Sequence, residues 1–141
     1  CMNVPAEAME LDAPIRVTRC ALRPGTGGAG ERRGGLGLVK EFEVLETAEG
    51  AVSFSYRGER HFVSPQGMAG GGEGGRAAAR ILRAGGEEET IPSKTVARLA
   101  PGDRAVIETA GGGGWGDPEA RDPARAAEDA RNAKTAPGEE R

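Results

Sequence analysis

Three glycine clusters and one small group of cations are the parts of this 141-residue sequence whose types and spacing could do chemistry. Backbone N–H groups exposed in a glycine turn can cradle an anion, so glycine clusters invite a phosphate-binding reading. The motif test goes against it. No G-x-x-x-x-G-K-[ST] is present, and the nearest G-x-G-x-x-G candidates fail at their last position, where Gly28-x-Gly30 meets Arg33 and Gly35-x-Gly37 meets Lys40. No strand-to-helix step follows either, so the chain is not expected to bind a nucleotide by itself.

The cations are Arg57, Arg60 and His61, the only catalytic candidates. Two readings stand side by side: a half-exposed histidine at a strand edge, or a cationic lip facing a substrate or partner held elsewhere. One histidine and two cysteines remote from it cannot build a His-rich metal site, so no metal is expected in this chain. Glu87 to Glu89 fit solvated charge on a turn, and Lys94 an exposed strand start. Ser64 and Ser93 lack the nucleophile-elbow pattern. No complete catalytic constellation is present.

Substrate or interface contacts fall instead on two glycine loops: Gly27, Gly28, Gly30, Arg32 and Arg33 in the first, and Gly111, Gly112, Gly113, Gly114 and Trp115 in the second. Four consecutive glycines before the sole tryptophan carry a large ordering cost. Such a run is expected where the backbone needs unusual dihedrals or something comes very close, with a flexible loop as the alternative.

The elements that must position these loops are mostly strands. Pro14 to Leu22 is rich in β-branched residues. In Leu36 to Glu46, Leu38, Phe42 and Val44 fall on one side, with Lys40 breaking the row and Glu41 and Glu43 opposite. Val52, Phe54 and Tyr56 alternate with serines. Ile81 and Leu82 lead into a Gly85-Gly86 hairpin turn, and Pro101-Gly102 suit a type II turn joining Thr95–Leu99 to Arg104–Thr109. Only the end is helical: Asp122 caps, Pro123 fits the first turn, and alanines 126, 127, 130 and 133 form the face to be buried, with an Arg125 to Asp129 pair alongside. The expected fold is therefore mainly β, a sandwich or open barrel of about six or seven strands with long glycine-rich loops and one C-terminal helix. The β domain is placed at 1–121, the helix at 122–134 and a disordered tail at 135–141.

Leu, Ile, Val and Phe make up about 16% of the chain, below the roughly 20% usual for a self-sufficient domain, while 24 glycines and 9 prolines crowd it. A thin core that leans on a larger partner is the expectation. A net charge of −3 with interleaved signs argues against nucleic acid, and no apolar run approaches a membrane span. Nothing in the opening residues directs secretion, so the expected place is cytoplasmic, with Cys1 and Cys20 as free thiols. The first fifteen residues look mid-protein, as in a piece of a longer chain.

The order of these segments resembles the C-terminal region of the hydantoinase B/oxoprolinase family. The resemblance rests on "PIRV", "GGAGERRGGLGLV", "GERHFVSPQGMAGGGEG", "EEETIPSK", "GDRAVIETAGGGGWGDP" and "RDPARAAEDARNAK", and it runs from about Asn3 to Lys134. Two departures stand out: Pro65-Gln66-Gly67 where the family usually has Pro-Trp-Gly, and Ala133 where it commonly has glycine. The resemblance implies a part of an ATP-dependent cyclic-amide hydrolase, with related ketone carboxylase subunits as an alternative. It also implies ATP, with room for a metal, in the complete enzyme. The implied partners are the N-terminal part of a B subunit and an A-type subunit that handles the nucleotide; an assembly module that clasps a partner without catalysis is the rival reading. The residues of "TAGGGGWGDP" themselves lead to the expectation that the glycines let the backbone leave the strand Arg104–Thr109 through conformations barred to other residues, while Trp115 packs its ring on apolar surface.

Overall fold

Apolar and polar residues alternate along most strands, and that alternation sorts the two faces of the sheets. A computed structural model describes residues 4–135. In chain order it has α1 (Ala6–Asp12), β1 (Ile15–Arg23), β2 (Gly37–Val44), β3 (Val52–Arg57), β4 (Ala78–Leu82), β5 (Glu88–Thr90), β6 (Lys94–Leu99), β7 (Arg104–Glu108), a single 3-10 turn at Pro118–Ala120, and α2 (Pro123–Arg131). An open five-stranded sheet runs in the order β1-β2-β7-β4-β5, and β3 pairs with β6 in a second sheet. All pairings are antiparallel. The mainly β expectation holds, with α1 as an element that sequence reading missed.

Register places Phe42, Ala105 and Ile81 side by side on three neighbouring strands. With Val44 and Ala79 they face Tyr56 and Leu99 of the second sheet, and Ile91 completes the buried cluster. Burying such a cluster supplies roughly 25 cal/mol per Å² of apolar area removed from water. The opposite face is an ionic lattice: Arg104 reaches Glu41 at 2.7 Å, Arg80 reaches Glu108 at 2.9 Å and Glu88 at 3.5 Å, and Arg23 reaches Glu108 at 3.6 Å. Each of these half-buried to exposed pairs contributes only ~0–1 kcal/mol, so the lattice mainly keeps this face polar over the buried Val39 and Val106.

The β2 assignment needs one correction. Leu38 is exposed and Val39 is buried, because the sheet is covered on different faces at its two ends. Lys40 does interrupt the inner row, and its ammonium lies 5.8 Å from the centre of the Phe42 ring. α1 crosses here through Met9, and Glu10 accepts the Val17 N–H of edge strand β1 at 2.8 Å, blunting that edge.

The two turns form with refinements. Gly86, not Gly85, takes the positive φ in the β4–β5 hairpin. At Ala100–Asp103 the Asp103 N–H returns to the Ala100 carbonyl at 3.0 Å with Gly102 at φ +81°, a type II turn. That turn does not make a hairpin: β6 and β7 lie in different sheets, so it is a corner. Asp103 locks it. Its buried carboxylate accepts from Ala84 N (3.0 Å), Ala100 N (2.9 Å) and Arg83 (2.9 Å). Burial pushes this acid up, but the two amides and the guanidinium outweigh burial and hold it below the ordinary carboxylate value.

α2 begins as expected, with the Asp122 carboxylate accepting from Ala124 N at 2.9 Å. Its docking is different. Ala126 and Ala127 are exposed, and the buried residue is Asp129, paired with Arg121 and, at 3.3 Å, with Lys134 rather than with Arg125. Methyl groups bury too little area to hold a nine-residue helix, so an ion pair and carbonyl contacts do it. The helix ends in a Schellman arrangement, Ala133 N to Ala130 O and Lys134 N to Asp129 O, which puts Ala133 at φ +49°. Cys20 is an exposed free thiol, whereas Cys1 and residues 136–141 of the expected tail lie outside the described residues. Among the described residues no helix is long and apolar enough to cross a membrane.

Ala133→Gly removes a left-handed alanine and is expected to stabilise the chain by about 1 kcal/mol in denaturant unfolding. Asp103→Ala should cost about 3 kcal/mol, because Arg83 and two amides lose their acceptor. The stabilisation from Asp103, whose folded pKa is lowered, is full above the unfolded carboxylate value of about 4 and is lost as pH falls below it. Wild type and Asp103→Ala should therefore converge in stability when melted at acid pH.

Candidate functional site

Glycine is required here because three chain segments run closer together than any side chain permits. The first is the loop from β1 to β2, the second the loop from β3 to β4, and the third follows β7. Gly28 N donates to Gly112 O (2.9 Å), Gly112 N to Gly35 O (2.8 Å), Gly72 N to Ala29 O (2.7 Å) and Gly114 N to Gly72 O (2.9 Å). Thr26 O takes Gly75 N at 2.8 Å, and Gly111 N returns to Gly75 O at 3.0 Å. The result is a backbone lattice in which each of the three segments is bonded to both of the others.

A Cβ placed on Gly111 would lie 1.8 Å from Thr26 O; on Gly113, 2.0 Å from Gln66 O; on Gly114, 1.9 Å from Ala29 O. Gly27, Gly28 and Gly30 meet backbone at 2.1, 2.2 and 2.7 Å in the same way. None of Gly111 to Gly114 has a positive φ. The expectation of barred conformations is corrected: the need is close approach, not dihedral freedom. The flexible-loop alternative also falls, since most of these amides and carbonyls are paired.

Trp115 departs from expectation too. Its backbone is stapled by two bonds to Arg32, N to O and O to N, each 2.9 Å. The ring is 47% exposed rather than packed on apolar surface, with the Arg32 guanidinium 5.8 Å from its centre. Met68, bridged to Trp115 along the backbone, is 70% exposed. Arg33 faces the other way and donates to the Lys134 carbonyl at 3.2 Å. With Arg121, which donates to Glu31 O at 3.0 Å, it fastens α2 to the first glycine segment. Arg32, Arg33, Arg121 and Arg125 also line a cleft of about 580 Å³ opposite Glu128 and Asp129.

The structure splits the three catalytic candidates. Arg60 and His61 line one cavity of about 490 Å³. Arg57 does not; it sits opposite Lys94 at the end of β3, on the face away from Tyr56. Sequence reading missed Tyr56 as the partner of His61, with its hydroxyl 2.8 Å from Nε2. Its inward place in the β3 alternation, five residues before the histidine, was the available signal. Among the described residues no group of three or more His, Cys, Asp or Glu could hold a metal ion.

Comparison with known proteins places these features. The family model for hydantoinase B/oxoprolinase matches residues 1–118. A 5-oxoprolinase from Pestalotiopsis fici is 35% identical over 83% of this chain and 9% of its own length. The caprolactamase subunit beta of Pseudomonas jessenii is 35% identical over 93% of this chain and 23% of its own. The crystal structure of the ATP-dependent caprolactamase from that organism superposes with a TM-score of 0.76 at 28% identity, covering 96% of this chain and 24% of the other. A nucleotide-free acetone carboxylase shares the fold, with a TM-score of 0.78 at 18% identity. The chain thus spans between about a tenth and a quarter of the length of these relatives.

Two adjacent glycines separate close approach from flexibility. A Cβ at Gly34 would stand 2.0 Å from Gly112 O, whereas one at Gly35 meets nothing within 4 Å. Gly34→Ala should cost about 3 kcal/mol or more in thermal or denaturant unfolding, and Gly35→Ala should be neutral to slightly stabilising, by up to about 1 kcal/mol.

Proposed function

This chain belongs to the hydantoinase B/oxoprolinase family, and on that footing we propose that it serves as the C-terminal β portion of an ATP-dependent cyclic-amide hydrolase. It acts as a docked part of a larger catalyst. The relatives named for 5-oxoproline and caprolactam support the substrate class. The small share of each relative that this chain spans supports the docked role.

One observation carries the reading: the glycine lattice ends in an exposed Trp115, Arg32 and Met68 held on a rigid backbone. Exposed aromatic and Arg anchors on a preorganised frame are the composition of an interface hot spot. The lattice does not suit a nucleotide. The amides of Gly28, Gly72, Gly112 and Gly114 are spent on carbonyls, so they are not offered to phosphate. ATP is therefore handled by an A-type partner, and any metal belongs to the remainder of the assembly. The contribution of this chain is to present a stiff rim at which the remainder of the B subunit and the A-type subunit meet.

Trp115→Ala should leave the fold nearly unchanged, within about 0.5 kcal/mol, because only the backbone of this residue joins the lattice. Affinity for the remainder of the enzyme should fall on the order of thirtyfold, the cost of a hot-spot residue. Titration of the purified chain into the other subunits, followed by phosphate release with ATP and 5-oxoproline or caprolactam, checks both. Unchanged affinity and unchanged turnover would reject the docked role.

A further inference from the structure

His61 is held more tightly than a surface histidine needs to be. Tyr56 is buried, 6% exposed, and its hydroxyl meets Nε2 at 2.8 Å. Gly58 is glycine for this contact, since a Cβ there would fall 2.1 Å from the Tyr56 hydroxyl and 2.8 Å from Nε2. Arg60 sits in the left-handed region at φ +63°, a costly state for a residue with a side chain, and is kept there by its carbonyl, which accepts Ala77 N–H at 3.0 Å. Strain kept at a cavity rim points to function.

The cavity of about 490 Å³ is lined by Gly58, Glu59, Arg60, His61, Phe62 and Ser93 among others. Nδ1 of His61 has no partner among the described residues. Among the described residues no backbone N–H from Glu59 to Ser64 is given to a backbone carbonyl, so the bend around Arg60 leaves these donors to water or a ligand. When Tyr56 donates to Nε2, the neutral ring carries its hydrogen on Nδ1, and the protonated ring keeps it there. The charged groups that line the cavity beside the ring are Glu59 and Arg60, both on its own loop; Arg57 and Lys94 lie on the other face of the β3–β6 pair.

We propose that Arg60, His61 and the amides between Glu59 and Ser64 form an oxyanion-binding site that takes a phosphate or a carboxylate group, with Tyr56 as the positioning residue for the imidazole. The site stands apart from the glycine rim and does not depend on the docked role. Burial raises the pKa of Tyr56, which keeps the phenol protonated and able to support the ring.

His61 and Tyr56 are the sole histidine and tyrosine of the sequence, so each gives one assignable set of ring resonances. The test follows the His61 titration by NMR on the full chain with millimolar inorganic phosphate, acetate or sodium chloride at matched ionic strength. A bound oxyanion favours the imidazolium, so the midpoint should rise by about one pH unit with one of the two oxyanions and not with chloride. A rise with phosphate identifies a phosphate site, and a rise with acetate a carboxylate site. Arg60→Asn tolerates the left-handed backbone but lacks the guanidinium, and should abolish the rise; Arg60→Lys should recover part of it. An unshifted Tyr56 resonance shows that each variant keeps the fold. No response to either oxyanion, an equal response to chloride, or a full response in Arg60→Asn would overturn the site.

Discussion

Backbone packed against backbone is the contact on which this structure depends. Three segments distant in sequence meet where a single methyl group would fall within 2 Å of a carbonyl oxygen, as at Gly111 and Gly114. The ordering entropy of so many glycines is offset by hydrogen bonds that satisfy their amides and by dispersion between close backbones. The lattice is therefore intolerant at most of its positions and rigid for the same reason. Its neighbours inherit that stiffness: Arg33 ties it to α2, and Arg23 reaches across to the carbonyls of Arg76 and Thr109.

The hydrophobic core fits that division of labour. The buried cluster of Phe42, Val44, Tyr56, Ile81, Ile91, Leu99 and the small Ala79 and Ala105 holds two sheets together, but it lies on one face only. The other face is ionic, α2 is docked by charge, and the glycine segments bury few side chains of their own, Thr26 and Ala77 among them. Exposed apolar residues stand on the loops, as Phe62, Met68 and Trp115 do, and also on strands, as Leu22, Leu38 and Val96 do. Under the docked role proposed here, the stiff rim is the part of this chain that is shaped before it docks.

How much of this was legible beforehand follows from the period of each signal. Strands with strict alternation, such as Val52 to Tyr56, were readable because one face of each is buried. The type II turn at Pro101-Gly102 was readable from its chemistry, but not that it turns a corner between sheets, since pairing is a long-range choice. α1 was hidden because its seven residues bury no side chain fully. The glycine run announced an unusual need without saying which one: close approach and positive φ demand the same residue, and only the partner segments distinguish them. Asp129 went unnoticed as the docking residue because alanines drew the expected helix face, and its partners come from outside the helix. The cationic trio is divided by strand alternation, which separates Arg57 from the cavity that holds Arg60 and His61.

Native-state hydrogen exchange on the glycine amides tests the central claim most directly. If the lattice is the stiff frame described, the amides of Gly28, Gly72, Gly112 and Gly114 exchange as slowly as those of the core strands β2 and β7, opening only with the whole domain. Exchange of these four amides at rates near those of an unfolded peptide, while β2 and β7 stay protected, would contradict it.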